Sequence, residues 1–434
     1  MKRGLLILAL VFLGIRGYSQ VEPLWLEDTA FLRELNVIRS KFNSLTMTGY
    51  LQVQYQHADS TGINSFNGGN FAAGSDNRFM IRRGRFRIDY DGKTSKGFYK
   101  YLFSLQFDGS ERGVNIRDMF GRVYENKWNF FVATVGVFNR PFSYELNYSS
   151  SMRESPERGR MSQILMKTER DLGAMVSFEP QDKNGKWYPL KVDAGFFNGQ
   201  GLAGTEEYDS FKDFITRASV RRTKIRKNLY LSAGLSYLNG GIRSGSPNSY
   251  SMVTDDQGHY VFETDSASNN LGKRLPRVYY GADIQILYES ALGKTELRAE
   301  YMTGTQSATF GTSITPGSPP MDKAGKPESL YSRNFDGAYF YLLHTFLKKH
   351  QVFLKYDWYD PNTRISGEKI NAAGNLGQAD IRYDTFGAGY ILHLNDNLKI
   401  VMYYDHPVNE RSGLREFAQD LRDDTFTMRM QFRF

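Results

Sequence analysis

The sequence predicts an all-β fold, a transmembrane barrel of sixteen antiparallel strands, from three observations. Segments of about ten residues alternate apolar and polar side chains along most of the chain, as strands do when their two faces meet different media. The connections between these segments are alternately long and short. The mean hydropathy is polar, at -0.50, although 15% of the residues are aromatic. Many aromatic residues on a polar chain fit a barrel that is apolar outside in thin bands and wet inside.

The N-terminus has the pattern of a secretory signal peptide. Lys2 and Arg3 precede an apolar run at residues 4 to 15, and small residues lead up to Ser19, so we expect residues 1 to 19 to be removed. The run is too short to cross a bilayer, and no later stretch reaches the roughly 18 apolar residues of a membrane helix. The chain contains no cysteine, which excludes disulfides and thiolate sites in the exported protein.

Residues 20 to 45 follow a different period. Their apolar residues recur at alternating spacings of four and three, which is a short heptad pattern on a helix. The residues are Phe31, Leu35, Ile38, Phe42 and Leu45. We expect a short periplasmic helix packed on the rim of the barrel; the alternative is a coiled coil that forms trimers.

The barrel is expected to occupy residues 46 to 434. Each of its sixteen candidate strands has about ten residues, enough to cross a bilayer when tilted. The strands begin near residues 46, 78, 98, 114, 129, 171, 189, 212, 229, 277, 295, 335, 350, 384, 398 and 424. Connections after odd-numbered strands are mostly long, and those after even-numbered strands are short. Outer-membrane barrels with both termini on the periplasmic side sort their loops in this way, whereas a soluble β-sandwich, the alternative, would not.

The segment RFMIRRGRFRIDYDGK at residues 78 to 93 shows how the two faces are used. Phe86 and Ile88 alternate with arginines, and an extra residue at Arg82 and Arg83 would point both of these side chains the same way. Charge on the lipid face would cost a few kcal/mol per residue at mid-membrane, so we expect the arginines to line the lumen. Guanidinium groups are planar donors suited to phosphate or carboxylate oxygens, and rings of Arg and Lys select anions in pores.

The last strand, DTFTMRMQFRF, places apolar residues on one face and polar residues on the other. Its apolar face consists of Phe426, Met428, Met430, Phe432 and Phe434. An apolar outer face that ends in Phe resembles the C-terminal signature by which bacterial barrels are recognised, so we expect the barrel-assembly machinery as a partner. This strand should pair with the first, GYLQVQYQH, so that no strand edge is left in lipid.

Four motifs cover much of residues 78 to 180: FMIRRGRFRIDYDG, NIRDMFGRVYE, ATVGVFNRPFSYE and ERDLGAMVSF. Together they resemble the phosphate-selective porins O and P. The resemblance implies a trimeric, sixteen-stranded channel of the bacterial outer membrane with an arginine pair at Arg82 and Arg83. It also implies that the third outer loop, here residues 139 to 170, folds into the pore.

The pattern and the resemblance predict a passive channel for small anions, with phosphate or polyphosphate as candidate solutes. The candidate residues that line the pore and bind anions are Arg82, Arg83, Arg85, Arg87, Arg140, Arg153, Arg158, Arg160, Lys167, Arg170, Arg217 and Arg221. A phosphate-specific member is expected to have a lysine at the narrowest point, but no motif fixes the place of Lys167, the single lysine of the third loop. The loop and the inferred lumen also contain carboxylates, so the alternative is a general diffusion porin of weak or different selectivity.

Further partners and activities follow from composition. We expect outer-membrane lipid, lipopolysaccharide and a homotrimer as partners. A formal charge of +8 would allow nucleic acid, but the export signal removes that partner. No cofactor is expected, because HExxH is absent and Gly387-Ala388-Gly389 lacks the third glycine of a dinucleotide loop. The chain is not predicted to be an enzyme; the less favoured alternative is an outer-membrane hydrolase, although no motif links any of the six histidines to a serine.

Overall fold

The computed structural model describes Phe42 and residues 44 to 93, 100 to 204 and 206 to 434. The chain divides into one unit of residues 1 to 45 and a second of residues 46 to 434. The predicted signal peptide, residues 1 to 19, lies outside the described residues, as does nearly all of the predicted helical segment at residues 20 to 45. The second unit contains the barrel.

Within the residues that the structure describes, eighteen strands make up the sheet. Their bounds are β1 (Leu45–Ala58), β2 (Asn77–Lys93), β3 (Lys100–Ser110), β4 (Gly113–Tyr124), β5 (Phe131–Asn139), β6 (Arg170–Phe178), β7 (Leu190–Phe197), β8 (Asp213–Arg226), β9 (Leu229–Arg243), β10 (Ser249–Thr254), β11 (Tyr260–Asp265), β12 (Arg274–Ser290), β13 (Gly293–Ala308), β14 (Leu330–Phe346), β15 (His350–Asp360), β16 (Tyr383–Asn395), β17 (Leu398–Asn409) and β18 (Thr425–Arg433).

Sixteen of these strands form one closed antiparallel barrel, as the sequence predicts. From β1 to β9 each strand pairs with the next, β9 pairs with β12, and the series continues to β18. The last strand then pairs with the first, from Tyr50↔Arg433 to Ala58↔Thr425, which closes the barrel. β10 and β11 form a hairpin outside this ring, within the connection between β9 and β12.

The strand starts agree closely with the sequence prediction. Fourteen of the sixteen barrel strands begin within two residues of the predicted position. The largest difference is at β14, which starts at Leu330 instead of near residue 335. Its first residues extend beyond the expected strand because the pairing with β13 continues to Ala308↔Tyr331, and residues 330 to 332 also pair in parallel with residues 249 to 251 of β10.

The two faces of each strand differ as the alternating pattern requires. On β18 the exposed fractions of Phe426 and Met428 are 39% and 42%, whereas those of Thr427 and Arg429 are 0% and 3%. Large apolar residues on the other barrel strands are exposed on the outer surface in the same way. A closed barrel with this surface belongs in a bilayer, because its backbone is paired and its outer side chains are apolar.

The connections are sorted between the two ends of the barrel. One end, the long-loop end, carries connections of 15 residues or more, apart from the two-residue turn at residues 111 to 112. The other, the short-turn end, includes turns of two residues at 227 to 228, 291 to 292 and 396 to 397. Within the described ranges, no helix is long and apolar enough to cross a membrane.

The largest hydrophobic core lies inside the barrel. It packs the connection between β5 and β6, here named the inner loop (residues 140 to 169), against inward side chains of the wall. The inner loop contains two short helices, α1 (Tyr144–Asn147) and α2 (Arg160–Leu165). Its contribution to the core is Phe142, Leu146, Met161, Ile164, Leu165 and Met166, and the wall contributes Phe138, Phe197, Ile215, Leu238, Tyr279, Met302, Phe335 and Tyr359. The lumen is therefore not wet throughout, because one side of it is filled by apolar packing.

Candidate functional site

The inner loop contacts the wall on several sides of the lumen. The Ser150 hydroxyl is 2.6 Å from the Tyr50 hydroxyl of β1, and the Ser155 hydroxyl is 2.7 Å from the Tyr341 hydroxyl of β14. The Thr315 hydroxyl donates to the Leu165 carbonyl oxygen at 2.7 Å. The predicted third outer loop therefore folds into the barrel.

Two carboxylates, Glu300 of the wall and Glu154 of the inner loop, fix the path of the inner loop. The Glu300 carboxylate of β13 accepts hydrogen bonds of 3.1 Å from the backbone N–H groups of Tyr144 and Glu145. Glu154 forms a two-point ion pair with Arg298 of β13, with N···O distances of 2.8 and 3.0 Å. A planar guanidinium and a carboxylate match in this geometry, so the pair fixes orientation as well as position.

Three arginines of the wall converge on one carboxylate of the inner loop, Glu157. The nearest N···O distances to this carboxylate are 2.9 Å for Arg82, 2.5 Å for Arg83 and 3.0 Å for Arg429. Burial by itself would raise the pKa of the Glu157 carboxyl, but the three guanidinium groups hold this pKa well below its usual value. Glu157 is therefore a carboxylate whose single negative charge faces three positive ones.

A second group of ion pairs lies beside the first. Its carboxylates are Asp108, Asp118 and Glu169, and its guanidinium groups are those of Arg85, Arg117, Arg153, Arg158 and Arg170. Arg170 contacts both Glu169 and Asp118, at N···O distances of 2.7 and 2.8 Å. Each carboxylate of this group contacts at least one guanidinium group.

Together these residues make a cationic region, here named the arginine cluster. Its members are Arg82, Arg83, Arg85, Arg117, Arg153, Arg158, Arg170 and Arg429. Eight guanidinium groups meet four carboxylates, so the cluster has four positive charges in excess. This charge lies between the wall and the inner loop.

A cavity of about 710 Å³ lies between the inner loop and the long loops of the barrel, and we name it the outer cavity. Its lining combines Arg82 of the arginine cluster with Arg160 and Lys167 of the inner loop. Arg422 and Asp423, from the connection between β17 and β18, also line it. Four cationic groups thus face this cavity against one carboxyl group.

A second cavity, here named the deep cavity, has a volume of about 330 Å³. It lies among the middle parts of β2 and β4 to β8. Its charged lining residues are Arg87, Asp118, Arg122, Arg170, Lys191, Asp193 and Arg217. Five cationic groups and two carboxylates line it, so both cavities beside the inner loop are positive.

The structure brings most of the predicted site residues to these three places. The arginine cluster contains Arg82, Arg83, Arg85, Arg153, Arg158 and Arg170; the deep cavity contains Arg87, Arg170 and Arg217; the outer cavity contains Arg82, Arg160 and Lys167. Arg82 and Arg83 are chain neighbours, and both side chains point to Glu157.

The guanidinium groups of three predicted site residues donate hydrogen bonds to backbone carbonyl groups. Arg140 donates to the Thr168 carbonyl and Arg158 to the Ser162 and Met166 carbonyls, which are contacts within the inner loop. Arg221 donates to carbonyl groups of Pro180 and Tyr188, in the connection between β6 and β7 at the short-turn end. These guanidinium groups hold the backbone, and Arg158 also contributes charge to the cluster.

Sequence reasoning missed five cationic residues of the site: Arg117, Arg122, Lys191, Arg422 and Arg429. The alternation of the last strand places Arg429 on the inner face, and Arg117 and Arg122 lie within the motif NIRDMFGRVYE. The inward orientation of Arg429 was thus readable, but a strict period of two places Arg117 and Arg122 on opposite faces, and β4 changes register against β3 beside Arg117. Among the described residues, no group of three or more His, Cys, Asp or Glu side chains could hold a metal ion.

Solved structures of other proteins resemble this barrel. An anion-selective porin from Comamonas acidovorans matches with a TM-score of 0.53 and 10% sequence identity, over 90% of this chain and 99% of that chain. The outer membrane channel DcaP of Acinetobacter baumannii gives a TM-score of 0.53 at 12% identity, over 90% and 97%. Pseudomonas putida OprB, in a high pH structure, gives 0.55 at 10% identity, over 93% and 97%.

At these identities the likeness concerns the fold. No protein-family model matches the chain, and no curated protein matches it. The chain has the fold of outer-membrane porins, and its apolar outer surface gives it the location of such barrels, the bacterial outer membrane.

Proposed function

We propose that this chain is a passive channel that conducts small anions across the bacterial outer membrane in preference to cations. Phosphate is among the solutes proposed, because guanidinium groups are planar donors that match its oxygens. The observation that supports the proposal is the arginine cluster, in which eight guanidinium groups meet four carboxylates beside the inner loop.

The position of this charge matters as much as its amount. The inner loop occupies one side of the lumen, and the arginine cluster, with Arg82, Arg83 and Arg85, lies where this loop meets the wall, so ions that pass the loop pass beside the cluster. A narrow path with low-dielectric walls focuses the field of such charges and raises the local concentration of the opposite ion. The outer and deep cavities continue the positive lining on both sides of the cluster.

A second candidate is a general diffusion channel of weak selectivity. The observation that favours it is the pairing of the cationic groups: Arg83 contacts Glu157, Arg87 contacts Asp89, and Arg217 contacts Asp283. A paired guanidinium group acts on a passing ion with a smaller net field than a free one. An anion-selective channel is expected if the excess of positive charge dominates the field in the lumen. A general channel is expected if the pairing cancels most of this field.

Reversal potentials separate the two candidates. Purified protein in a planar bilayer under a potassium chloride gradient should show a reversal potential of the sign that chloride permeation gives. A cation preference would overturn the proposal, and a ratio near one would favour the general channel. Added phosphate should reduce the chloride current. If the channel prefers anions but phosphate does not reduce this current, the proposal of an anion channel stands and phosphate is no longer among its proposed solutes.

The hydrolase alternative finds less support. Acyl transfer needs a base within hydrogen-bond reach of a nucleophile. Among the described histidines, His344, His350 and His406 form side-chain hydrogen bonds at Nδ1 with Thr295, Tyr390 and Asp424, and none of these partners is a serine. We therefore propose that the chain is a channel and not an enzyme.

Assembly is part of the proposal. We propose a homotrimer that inserts with the help of the barrel-assembly machinery and sits among outer-membrane lipid and lipopolysaccharide. The apolar outer face of β18, with Phe426 and Met428 exposed, supports this route. Cross-linking of the unheated protein in mild detergent should give a trimer band, and a monomer alone would remove this part of the proposal.

A further inference from the structure

The outer cavity has walls unlike those of a site for a bare inorganic ion. Its lining includes aromatic and aliphatic side chains next to its cationic groups: Phe66, Ile164, Ile314, Tyr359, Ile381 and Phe417. Its volume of about 710 Å³ is within the range of roughly 300–1,000 Å³ that ligand pockets have. Apolar walls contribute no favourable free energy to the binding of a strongly hydrated ion, but they favour a ligand that buries a carbon skeleton against them.

Arg160 is held in this cavity in an unusual way. Its guanidinium carbon lies 3.5 Å from the centroid of the Tyr383 ring and 4.5 Å from the centroid of the Phe66 ring. Among the residues that the structure describes, no carboxylate lies within ion-pair distance of this side chain. The two rings attract the guanidinium charge, and within the described part of the chain its N–H groups have no carboxylate partner.

This arrangement differs from that of the arginine cluster, where every guanidinium group contacts a carboxylate. An oriented guanidinium edge that no protein carboxylate occupies is matched by a carboxylate of a solute, through two parallel hydrogen bonds. Lys167 is exposed and lines the same cavity, and Arg82 continues the positive lining to the cluster. Cationic groups and apolar walls together suit an anion with an apolar body.

We infer that the outer cavity binds aromatic carboxylates, with the carboxylate on the Arg160 guanidinium and the ring against the apolar wall that includes Tyr359 and Phe417. Aromatic side chains favour an aromatic body, since offset and edge-to-face ring contacts add to simple burial. The inference rests on the proposed function and deepens it, because it names the class of solute that the channel collects at its outer side.

Benzoate is the probe, and titration calorimetry on the folded protein in detergent measures its binding. Acetate has the carboxylate without the ring, and benzyl alcohol has the ring without the charge. Benzoate should bind about tenfold more tightly than either, because loss of a charge-assisted hydrogen bond or of buried ring area costs about that factor. Equal binding of the three, or equally tight binding of inorganic phosphate, would overturn the inference.

Variants test the residues. Arg160→Gln should weaken benzoate binding about tenfold, whereas Tyr383→Phe, which keeps the ring, should leave it within about twofold. The matched control is Arg112→Gln, which removes the same charge from an exposed turn at the same end of the barrel. Unchanged binding by Arg160→Gln would overturn the inference.

Folding is checked by the shift in gel mobility on heating that barrels show. If Arg160→Gln does not give the folded band, Lys167→Gln tests the same cavity at an exposed position and should weaken binding several-fold; no change there would overturn the inference. Binding in detergent and selectivity in a bilayer are separate measurements. If the protein binds benzoate but shows no anion preference, the proposed channel selectivity is wrong and the benzoate site stands. If it prefers anions but does not bind benzoate, the proposed selectivity stands and the benzoate site is wrong.

Discussion

Arg83 and Glu157 form a two-point ion pair inside the barrel, with N···O distances of 2.5 and 2.8 Å. One partner belongs to β2 of the wall and the other to the inner loop. The same contact therefore fixes the loop and reduces the positive charge of the lumen. Changes to the two partners should act on ion selectivity in opposite directions, which a structural role alone would not produce.

Glu157→Gln should increase the preference for anions. The change removes one of four carboxylates and leaves all eight guanidinium groups, so the excess of positive charge rises from four to five. A unit charge about 4 Å from an ion is worth about 1 kcal/mol in water, so we expect a change of up to about fivefold in the permeability ratio. Reversal potentials under a salt gradient measure it.

The matched control for this change is Glu263→Gln, on the exposed hairpin of β10 and β11. This change also removes one negative charge, but at a position far along the chain from the inner loop, so it should leave the permeability ratio unchanged. A fall in anion preference in Glu157→Gln would contradict the role given to the cluster.

The double change Arg82→Gln and Arg83→Gln should lower the preference for anions. It leaves Glu157 with Arg429 as its remaining partner in the cluster and removes two positive charges from the wall. The loss should be larger at 0.01 M salt, where the Debye length is about 30 Å, than at 1 M salt, where it is about 3 Å. Bilayer measurements at both concentrations test the change, and an effect independent of salt would point to altered pore shape.

Shortening the inner loop should raise single-channel conductance. A deletion of residues 148 to 156 would remove the contacts that Ser150 and Ser155 make with the wall and keep both helices and Glu157. Less of the lumen would then be filled. The control is a deletion of residues 255 to 259 at the tip of the hairpin, which should not change conductance. Equal conductance in the wild type and the first deletion would mean that the loop does not narrow the path.

The sequence predicted the barrel closely because the signal is local and repeated. Each strand alternates between lipid and lumen, so a single period of two locates strands such as β9, which begins at Leu229 as expected. The inward direction of Arg82 and Arg83 followed from the same period with one extra residue inserted at this pair, and from the cost of charge in lipid. Neither feature depends on contacts between distant parts of the chain.

Partners within the lumen were not predictable in this way. Glu157 lies 272 residues from Arg429, and nothing in the local pattern joins them. The apolar cluster beneath the inner loop was also missed, because Ile215 and Leu238 interrupt the polar face of their strands without a periodic signal. The rings beside Arg160 come from β16 and from the connection between β1 and β2. Long-range pairing depends on how the inner loop folds, which strand periodicity does not determine.

Asp423 gives the outer cavity a group that titrates near neutral pH. Burial raises the pKa of this carboxyl to about 7, against the opposing effect of Arg160. The other charged groups that act on it are Asp405 of β17 and Asp420 and Asp424 of its own connection. Asp424 in turn contacts His406, with an Nδ1–Oδ1 distance of 2.6 Å.

Anion binding in the outer cavity should therefore strengthen as pH falls from 8 to 6. The sign follows from the raised pKa: below it the Asp423 carboxyl is neutral, so the four cationic groups of the cavity meet no opposing charge, and above it the carboxylate repels an anion. One such charge changes affinity by up to about fivefold. Calorimetric titration of benzoate at a series of pH values measures the step. Asp423→Asn should bind at every pH as the wild type does at pH 6, whereas His406→Gln should keep the step; a step that survives in Asp423→Asn would assign it to another group.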